Sequence, residues 1–408
     1  MTHTPSLIRL GRRFLHYALL ALWLGLLPAT ALQAQSVSDI LQLVEQRNLE
    51  LQALTAANQQ QNLEDEVENA MPAPSIEYSP FLQRGAGGLA SSELVISQSF
   101  DLPPIRANQR KQRRLAGNVR TSQRNERRQQ LLLQAQLLCF DIIHLNRQMA
   151  LENRRLSLAD SLCLALKNAL QQGRATALEL NQAQRMQIQA RRQIAQTKEQ
   201  LTTFRRQLGL LADTDSLEGP NAQTSYPEVS NDSLLHALQA APTQSPAIQT
   251  ARQSIQLAQT EQRNARLSWL PELQLGYRRN TEGPGMPAAH GLLIGASIPI
   301  YSVSRKQRIS RLNLQQQELQ LRQAQRQLAQ QNQDKLTQLR RLQRQLDDGT
   351  AVLAREGLTL LLHALQQGQI SLVQYCQEAD PLYAELQDQL QTERQYHGLV
   401  AEICQSNL

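Results

Sequence analysis

Aromatic side chains make up only 4% of this 408-residue chain, and none lies between Phe100 and Phe140. That gap holds the densest charge: Arg106, Arg110, Lys111, Arg113, Arg114, Arg120, Arg124, Arg127 and Arg128. A nucleic-acid surface needs stacking or base-reading groups beside its cations, so this run predicts solvation or anchoring, with no nucleic-acid partner. The four cysteines, Cys139, Cys163, Cys376 and Cys404, show no C-x-x-C spacing. Cys139 and Cys163 fall on one predicted helix, ~36 Å apart, and cannot bond each other. Four buried free thiols are the expectation, with cross-helix pairs Cys163–Cys376 and Cys139–Cys404 as the alternative. His144, His236, His290, His363 and His397 are scattered without ligand spacing, and neither a nucleophile motif nor a phosphate-binding glycine loop occurs. The reading is therefore no enzyme, no cofactor and no metal.

Long apolar runs are also missing beyond residue 34. No later stretch approaches 18 consecutive apolar residues, so no transmembrane helix is expected there. A chain of this composition that crosses a membrane must do so with strands closed into a barrel. Residues 1–34 read as a cleavable export signal: Arg9, Arg12 and Arg13 precede the apolar Tyr17–Leu27, and cleavage is expected after Ala31 or Ala34. Its removal takes three cations and no acid, lowering the formal net charge from +7 to +4. A mildly basic, exported protein rarely meets nucleic acid.

What the chain does have is a duplication. Ala169-Leu170-Gln171-Gln172-Gly173 returns as Ala364-Leu365-Gln366-Gln367-Gly368, 195 positions on. Pro74-Ser75-Ile76-Glu77-Tyr78 is echoed by Pro271-Glu272-Leu273-Gln274-Leu275, and Phe100-Asp101-Leu102-Pro103 by Ile298-Pro299-Ile300-Tyr301. Landmarks in one order at nearly constant spacing fix an architecture of two copies. The division is 1–34 signal, 35–212 first copy, 213–233 linker and 234–408 second copy. The linker, with Asp213, Asp215, Gly219, Pro220 and Pro227, is a junction within one architecture.

Each copy reads as helix, two strands, very long helix, tight break, helix. Apolar–polar alternation marks four strands, around Ile76/Tyr78/Leu82, Leu94/Ile96/Phe100, Leu273/Leu275/Tyr277 and Leu292/Ile294/Ala296/Ile298/Ile300. Each is about nine residues, enough for a tilted strand to cross a bilayer. Glycine-rich hairpin loops are expected at Arg84–Ser91 and Thr281–Gly291. The few aromatics, Tyr78, Phe81, Phe100, Trp269, Tyr277 and Tyr301, are expected to gather at the strand ends as a membrane girdle would. Two small soluble hairpins are the plainer alternative. Prolines 72, 74, 103, 104, 271 and 299 punctuate the helix–strand junctions. A helix from Ile105 to Gln172 would reach ~100 Å, and its counterpart runs from Ser304 to Gln367. In the counterpart, Leu314, Leu321 and Leu328 keep a seven-residue beat that resumes, after a stutter, at Leu339, Leu346, Leu353 and Leu360. A seam this thin suits the wall of a hollow helical tube, or an elongated coiled coil.

The element order, the signal and the duplication together resemble the TolC-like outer-membrane efflux proteins, over about Ser38 to Cys404. Val95-Ile96-Ser97-Gln98-Ser99-Phe100-Asp101-Leu102-Pro103, followed by a basic helix start, looks like that family's strand-to-helix junction. Gly173 with Thr176, and Gly368 with Ser371, look like its helix–turn–helix tips. The resemblance implies a mainly α fold with a small β part. Long antiparallel helical hairpins would build a trimeric α-barrel through the periplasm, and four strands per chain would enter a shared twelve-stranded transmembrane β-barrel. It further implies an outer-membrane exit duct whose partners are two further copies in a homotrimer, outer-membrane lipid, a periplasmic adaptor and an inner-membrane pump, often of the resistance-nodulation-division type. Gly173, Thr176, Gly368 and Ser371 would then form the adaptor-docking tip. Glu179, Glu378 and Asp380, near those tips, would become rings of three carboxylates at a constriction, the alternative being a solvated helix face. The short linker and tail imply a reduced mid-tube belt. The competing reading is a periplasmic adaptor or a structural coiled coil, against which stand two helical hairpins instead of one and no compact β module.

Overall fold

A computed structural model describes residues 36–82, 89–220, 225–228, 230, 234, 238, 245–282, 287–299 and 301–407. The expected signal, His236, Ile300, most of the first hairpin loop and parts of the second loop and the linker lie outside the described residues. In chain order the elements are helices α1 (Val37–Arg47) and α2 (Leu49–Glu68), strands β1 (Ser75–Leu82) and β2 (Leu89–Phe100), and helices α3 (Pro103–Gln171), α4 (Ala177–Leu211) and α5 (Pro246–Leu267). Strands β3 (Glu272–Thr281) and β4 (Ala289–Ser297) follow. Helices α6 (Val303–Asp347), α7 (Thr350–Gln366) and α8 (Leu372–Ile403) and a short 3-10 turn complete them.

The strands form one antiparallel sheet in the order β1-β2-β3-β4, so the two copies pair through β2 and β3. The helices continue that order. α2 leads into β1, β2 into α3, α5 into β3 and β4 into α6, and α2, α3, α5 and α6 lie side by side in that sequence. Pro103 and Pro104 occupy the first positions of α3, where their missing N–H groups and fixed φ cost nothing. The helix then runs 69 residues without a further proline, ~100 Å. Farther from the sheet, α4 packs along α3, α8 packs on α3, and α7 on α8.

The main core sits midway down, where Val37, Ile40 and Val44 of α1 meet Cys139, Phe140, Ile142 and Ile143 of α3 and Leu208 of α4. The described linker residues are strapped onto it. Tyr226 stacks on His397 with ring centroids 4.3 Å apart, meets Phe140 edge-on at 5.3 Å, and lies under the Arg147 guanidinium at 4.8 Å. Burial holds the His397 imidazole well below its usual value, at about 4, and pushes the Tyr226 hydroxyl up to about 12. All four cysteines are free thiols, but only Cys139 and Cys376 are buried, whereas Cys163 and Cys404 are partly exposed. Burial raises Cys139 to about 12, which leaves it chemically quiet.

One expectation changes. The counterpart helix is not continuous to Gln367: α6 ends at Asp347 and α7 begins after Gly349, whose φ is +70°. Glycine takes this left-handed conformation without the Cβ clash other residues suffer. The break rotates the apolar face. Leu339 is buried as the heptad beat predicts, but Leu353 and Leu360 are exposed, while Ala351 and Ala354 turn inward with Leu358 packed beside them.

Candidate functional site

The strand pattern becomes two chemically opposite faces. Along one row, Ile76 pairs with Ile96, Ile96 with Tyr277 and Tyr277 with Leu292. The next row on this face joins Gln98, Leu275 and Ile294, and the next joins Phe100, Leu273 and Ala296. Much of this face has no protein cover: Leu292 is 86% exposed and Ile294 77%. A soluble domain rarely leaves such a contiguous apolar patch uncovered.

The opposite face carries Ser75, Ser97 and Gly276 in one row and Glu77, Val95 and Arg278 in another. Here Ser75 Oγ and Ser97 Oγ are 2.7 Å apart, Gln274 donates to Ser97 Oγ at 2.8 Å, and Arg278 meets Glu93 at 2.7 Å. Leu293, Val95 and, toward the hairpin end, Phe81 are large apolar exceptions on it. One face thus suits hydrocarbon and the other water. Neither β1 nor β4 has an outer partner among the described residues. Of the aromatics, Phe81 lies at the hairpin end, Phe100, Trp269 and Tyr301 at the helix end, and Tyr78 and Tyr277 between them.

The far ends of the long helices are built twice from the same parts. Gly173 (φ +69°) closes α3: its N–H donates to Leu170 O at 3.0 Å, and Arg174 N–H to Ala169 O at 2.8 Å. Gly368 (φ +70°) closes α7 with the matching bonds to Leu365 O and Ala364 O at 3.1 and 2.9 Å. This glycine closure satisfies carbonyls the helix end leaves free. Nothing lies within 4 Å of a Cβ placed on either glycine, so only backbone conformation requires glycine there.

Thr176 and Ser371 then start the return helices with capping boxes. Thr176 Oγ1 accepts from Glu179 N–H at 3.2 Å, while Glu179 accepts from Thr176 N–H at 2.8 Å. Ser371 and Gln374 make the same pair at 3.2 and 3.0 Å. The bond from the Thr176 backbone, with its hydroxyl second, holds the Glu179 carboxyl below the usual range.

The three carboxylates expected at a constriction are not gathered within one chain. Glu179 is spent on its cap, Glu378 is exposed on α8, and Asp380 accepts from Arg155 of α3 at 2.5 Å. Arg155 is the centre of a cluster that sequence reading missed. It is 6% exposed, and its guanidinium lies 5.0 Å over the Tyr383 ring. One turn away, Glu152 is 1% exposed and accepts from Gln387 at 2.5 Å. Burial raises the Glu152 carboxyl above the usual range, opposed by the charge of Arg155. Cys376 and Met186 pack beside them, sulfur to sulfur at 3.1 Å. A signal existed in the spacing: Leu151, Arg155, Leu158 and Leu162 share a helical face, so Arg155 stands at a core position.

Among the described residues, no group of three or more His, Cys, Asp or Glu could hold a metal ion, and no helix is long and apolar enough to cross a membrane.

No family model matches the chain, and no curated protein is detectably similar in sequence. Solved structures are similar in fold. The outer membrane protein VceC of Vibrio cholerae superposes with a TM-score of 0.73 at 12% identity, over 91% of this chain and 95% of that one. The MtrE outer membrane channel of Neisseria gonorrhoeae, in its open state, gives 0.73 at 14% identity, over 91% and 88%. The CmeC outer membrane channel of Campylobacter jejuni gives 0.71 at 13% identity, over 91% and 85%. MtrE and CmeC are channels. With four strands continued by paired long helices in two copies, this chain has the fold of the TolC-like outer-membrane efflux channels.

Proposed function

We propose that this chain is one subunit of an outer-membrane exit duct, in which three copies close a twelve-stranded barrel continued by a helical tube into the periplasm. The observation that carries the reading is the sheet: an uncovered apolar face, a hydrogen-bonded polar face, and two open edges. Inside a bilayer every backbone N–H and C=O needs a partner, so β1 of one copy must pair with β4 of the next. Four strands are too few to enclose a lumen alone, whereas twelve leave room for one. Residues 1–34 direct export and are removed. The duct is passive and assigned no reaction, since the driving work falls to an inner-membrane pump reached through a periplasmic adaptor.

The tips around Gly173, Thr176, Gly368 and Ser371 dock the adaptor. The carboxylates that form threefold rings toward the periplasmic end are Glu179, Glu378 and Asp380. A bulky residue at Gly173 or Gly368 is expected to lower export while trimers still form. Neutralising Glu378 and Asp380 is expected to shift the single-channel reversal potential, and an unchanged potential removes their ring role.

The deciding experiment fractionates membranes from expressing cells, extracts with detergent and sizes the product. A trimer from the outer membrane is the expected result. A soluble monomer or dimer would overturn the reading in favour of a periplasmic adaptor or structural coiled coil.

A further inference from the structure

Three arginines of α3 farther from the sheet are matched to carboxylates: Arg120 to Asp65, Arg127 to Glu50 at 2.5 Å, and Arg128 to Glu45 at 2.7 Å. Those next to the sheet are not. Arg110, Lys111 and Arg114 on α3, Arg263 and Arg266 on α5, and Arg308 and Arg311 on α6 are all exposed. None of these forms an ion pair among the described residues, and residues 102–125 and 298–317 contain no acid at all. The unmatched cations begin where the apolar face of the sheet ends, beside exposed Trp269 and Tyr301.

Helix geometry says which side of the wall they occupy. On α3, Gly117 and Arg120 face α2, while Gln112 and Ser122 face α5. At ~100° per residue these neighbours lie less than half a turn apart measured through Ile105, Gln109 and Ala116. That side is concave, and the wide remaining arc, with Arg110, Lys111 and Arg114, is convex. On α5, Asn264 faces α3 and Glu261 faces α6, which leaves Arg263 and Arg266 on the convex arc. α6 runs parallel to α3, so the same rotation away from Asn313, which faces α5, brings Arg311 to that side and leaves Arg308 at its edge, opposite α5.

We infer that these cations form a collar that binds anionic phospholipid headgroups of the leaflet facing the helical body. This rests on the outer-membrane reading above. An amphipathic aromatic belt followed by exposed cations is the arrangement that places ammonium and guanidinium groups at phosphate level. The convex position excludes the lumen and its cargo as the source of the anion. Each cation near such a surface strengthens association about fivefold, from ~1 kcal/mol per residue. The matched arginines below lie too far from the bilayer to contribute and are neutralised by their own chain.

The test reconstitutes the full-length trimer into vesicles of phosphatidylcholine with and without phosphatidylglycerol, then measures lipid retained on the extracted trimer by native mass spectrometry. Phosphatidylglycerol should be retained over phosphatidylcholine, and the preference should fall at least fivefold in Arg110→Gln/Lys111→Gln/Arg114→Gln. It should fall again in Arg263→Gln/Arg266→Gln, a second set in case the first fails to assemble. Equal retention of both lipids by the unaltered trimer overturns the collar, as does a preference that both variants keep. Displacement by soluble glycerol phosphate at matched concentration would mark a free-phosphate site and overturn the lipid assignment. A changed ion selectivity in the variants would place the cations in the lumen and overturn it too. Flotation read beforehand separates the two readings: protein that floats with neither vesicle defeats the channel itself, whereas inserted protein without lipid preference defeats the collar alone.

Discussion

The first copy carries one helix of 69 residues from the sheet to its tip, whereas the second covers the same stretch with 45 and 17 residues on either side of Gly349. Aligned on Gly173 and Gly368, Glu152 and Arg155 of the first copy fall opposite Asp347 and Thr350 of the second. The first copy thus buries a charged pair against α8 where the second ends a helix. Their return helices differ as well: α8 carries Pro381 internally, at the position of Met186 in α4. The tips of the two copies, by contrast, match bond for bond. Strands and tips must meet fixed geometric demands, a paired ladder and a reversed chain. The middles need only pack, and packing has many solutions.

The largest effect should come from the buried charge. Arg155→Ala removes the cation beside Glu152 and Asp380, and should cost about 3 kcal/mol in denaturant unfolding, the low end for a broken buried pair because Asp380 stays half in water. Thr350→Ala, at the equivalent place, should stay within ~0.5 kcal/mol. Equal losses would erase the asymmetry.

The helix break comes next. Gly349→Ala forces a Cβ into a left-handed conformation and should destabilise by ~1–2 kcal/mol. Arg154→Gly, opposite it in the unbroken helix, should lose about 1 kcal/mol through backbone entropy alone. A stabilising Gly349→Ala, with added helicity by circular dichroism, would mean that the second copy readily becomes continuous.

At the tips the copies should respond alike to truncation and differently to acid. Thr176→Ala and Ser371→Ala should each cost ~1 kcal/mol. Glu179 is a carboxylate whose folded pKa lies below its unfolded one, so its contribution is present above the unfolded value and lost as pH falls through the folded value. Gln374 in the second copy does not titrate. Hydrogen exchange at both tips below pH ~4.5 should therefore loosen the first tip more.

The last comparison concerns the strap, where the size of the effect depends on pH. His397 is harder to protonate folded, at about 4, than unfolded, so its stabilisation is complete above pH ~6.5 and declines toward pH 4. The melting temperature of His397→Gln should fall less across that window than that of the parent, with Arg147, Tyr226, Phe140 and Tyr396 as the groups around the ring.

Much of this architecture is legible in the residues. Alternation placed all four strands because side chains on a strand must alternate, and the prolines located their junctions with the helices. The repeated Ala-Leu-Gln-Gln-Gly located both tips because a long helix that reverses needs a glycine there. The break at Gly349 was missed: a leucine beat running through it looks continuous, and one glycine in a helical pattern is a weak signal. The carboxylate group near the tips was chosen by proximity in sequence, and only packing revealed that Asp380 answers to Arg155, 225 residues away.

By itself the sequence determined the local states: which segments are strand or helix, where they end, and that the pattern occurs twice. Those outcomes follow from short-range sterics, hydrogen bonding and side-chain periodicity. Tertiary structure alone decided that β2 pairs with β3 across the copies, that Tyr226 pins the linker, and which arginines are matched and which stand free along the wall. Each of those depends on which distant groups the folded chain brings within a few ångströms, and periodicity carries no information about that.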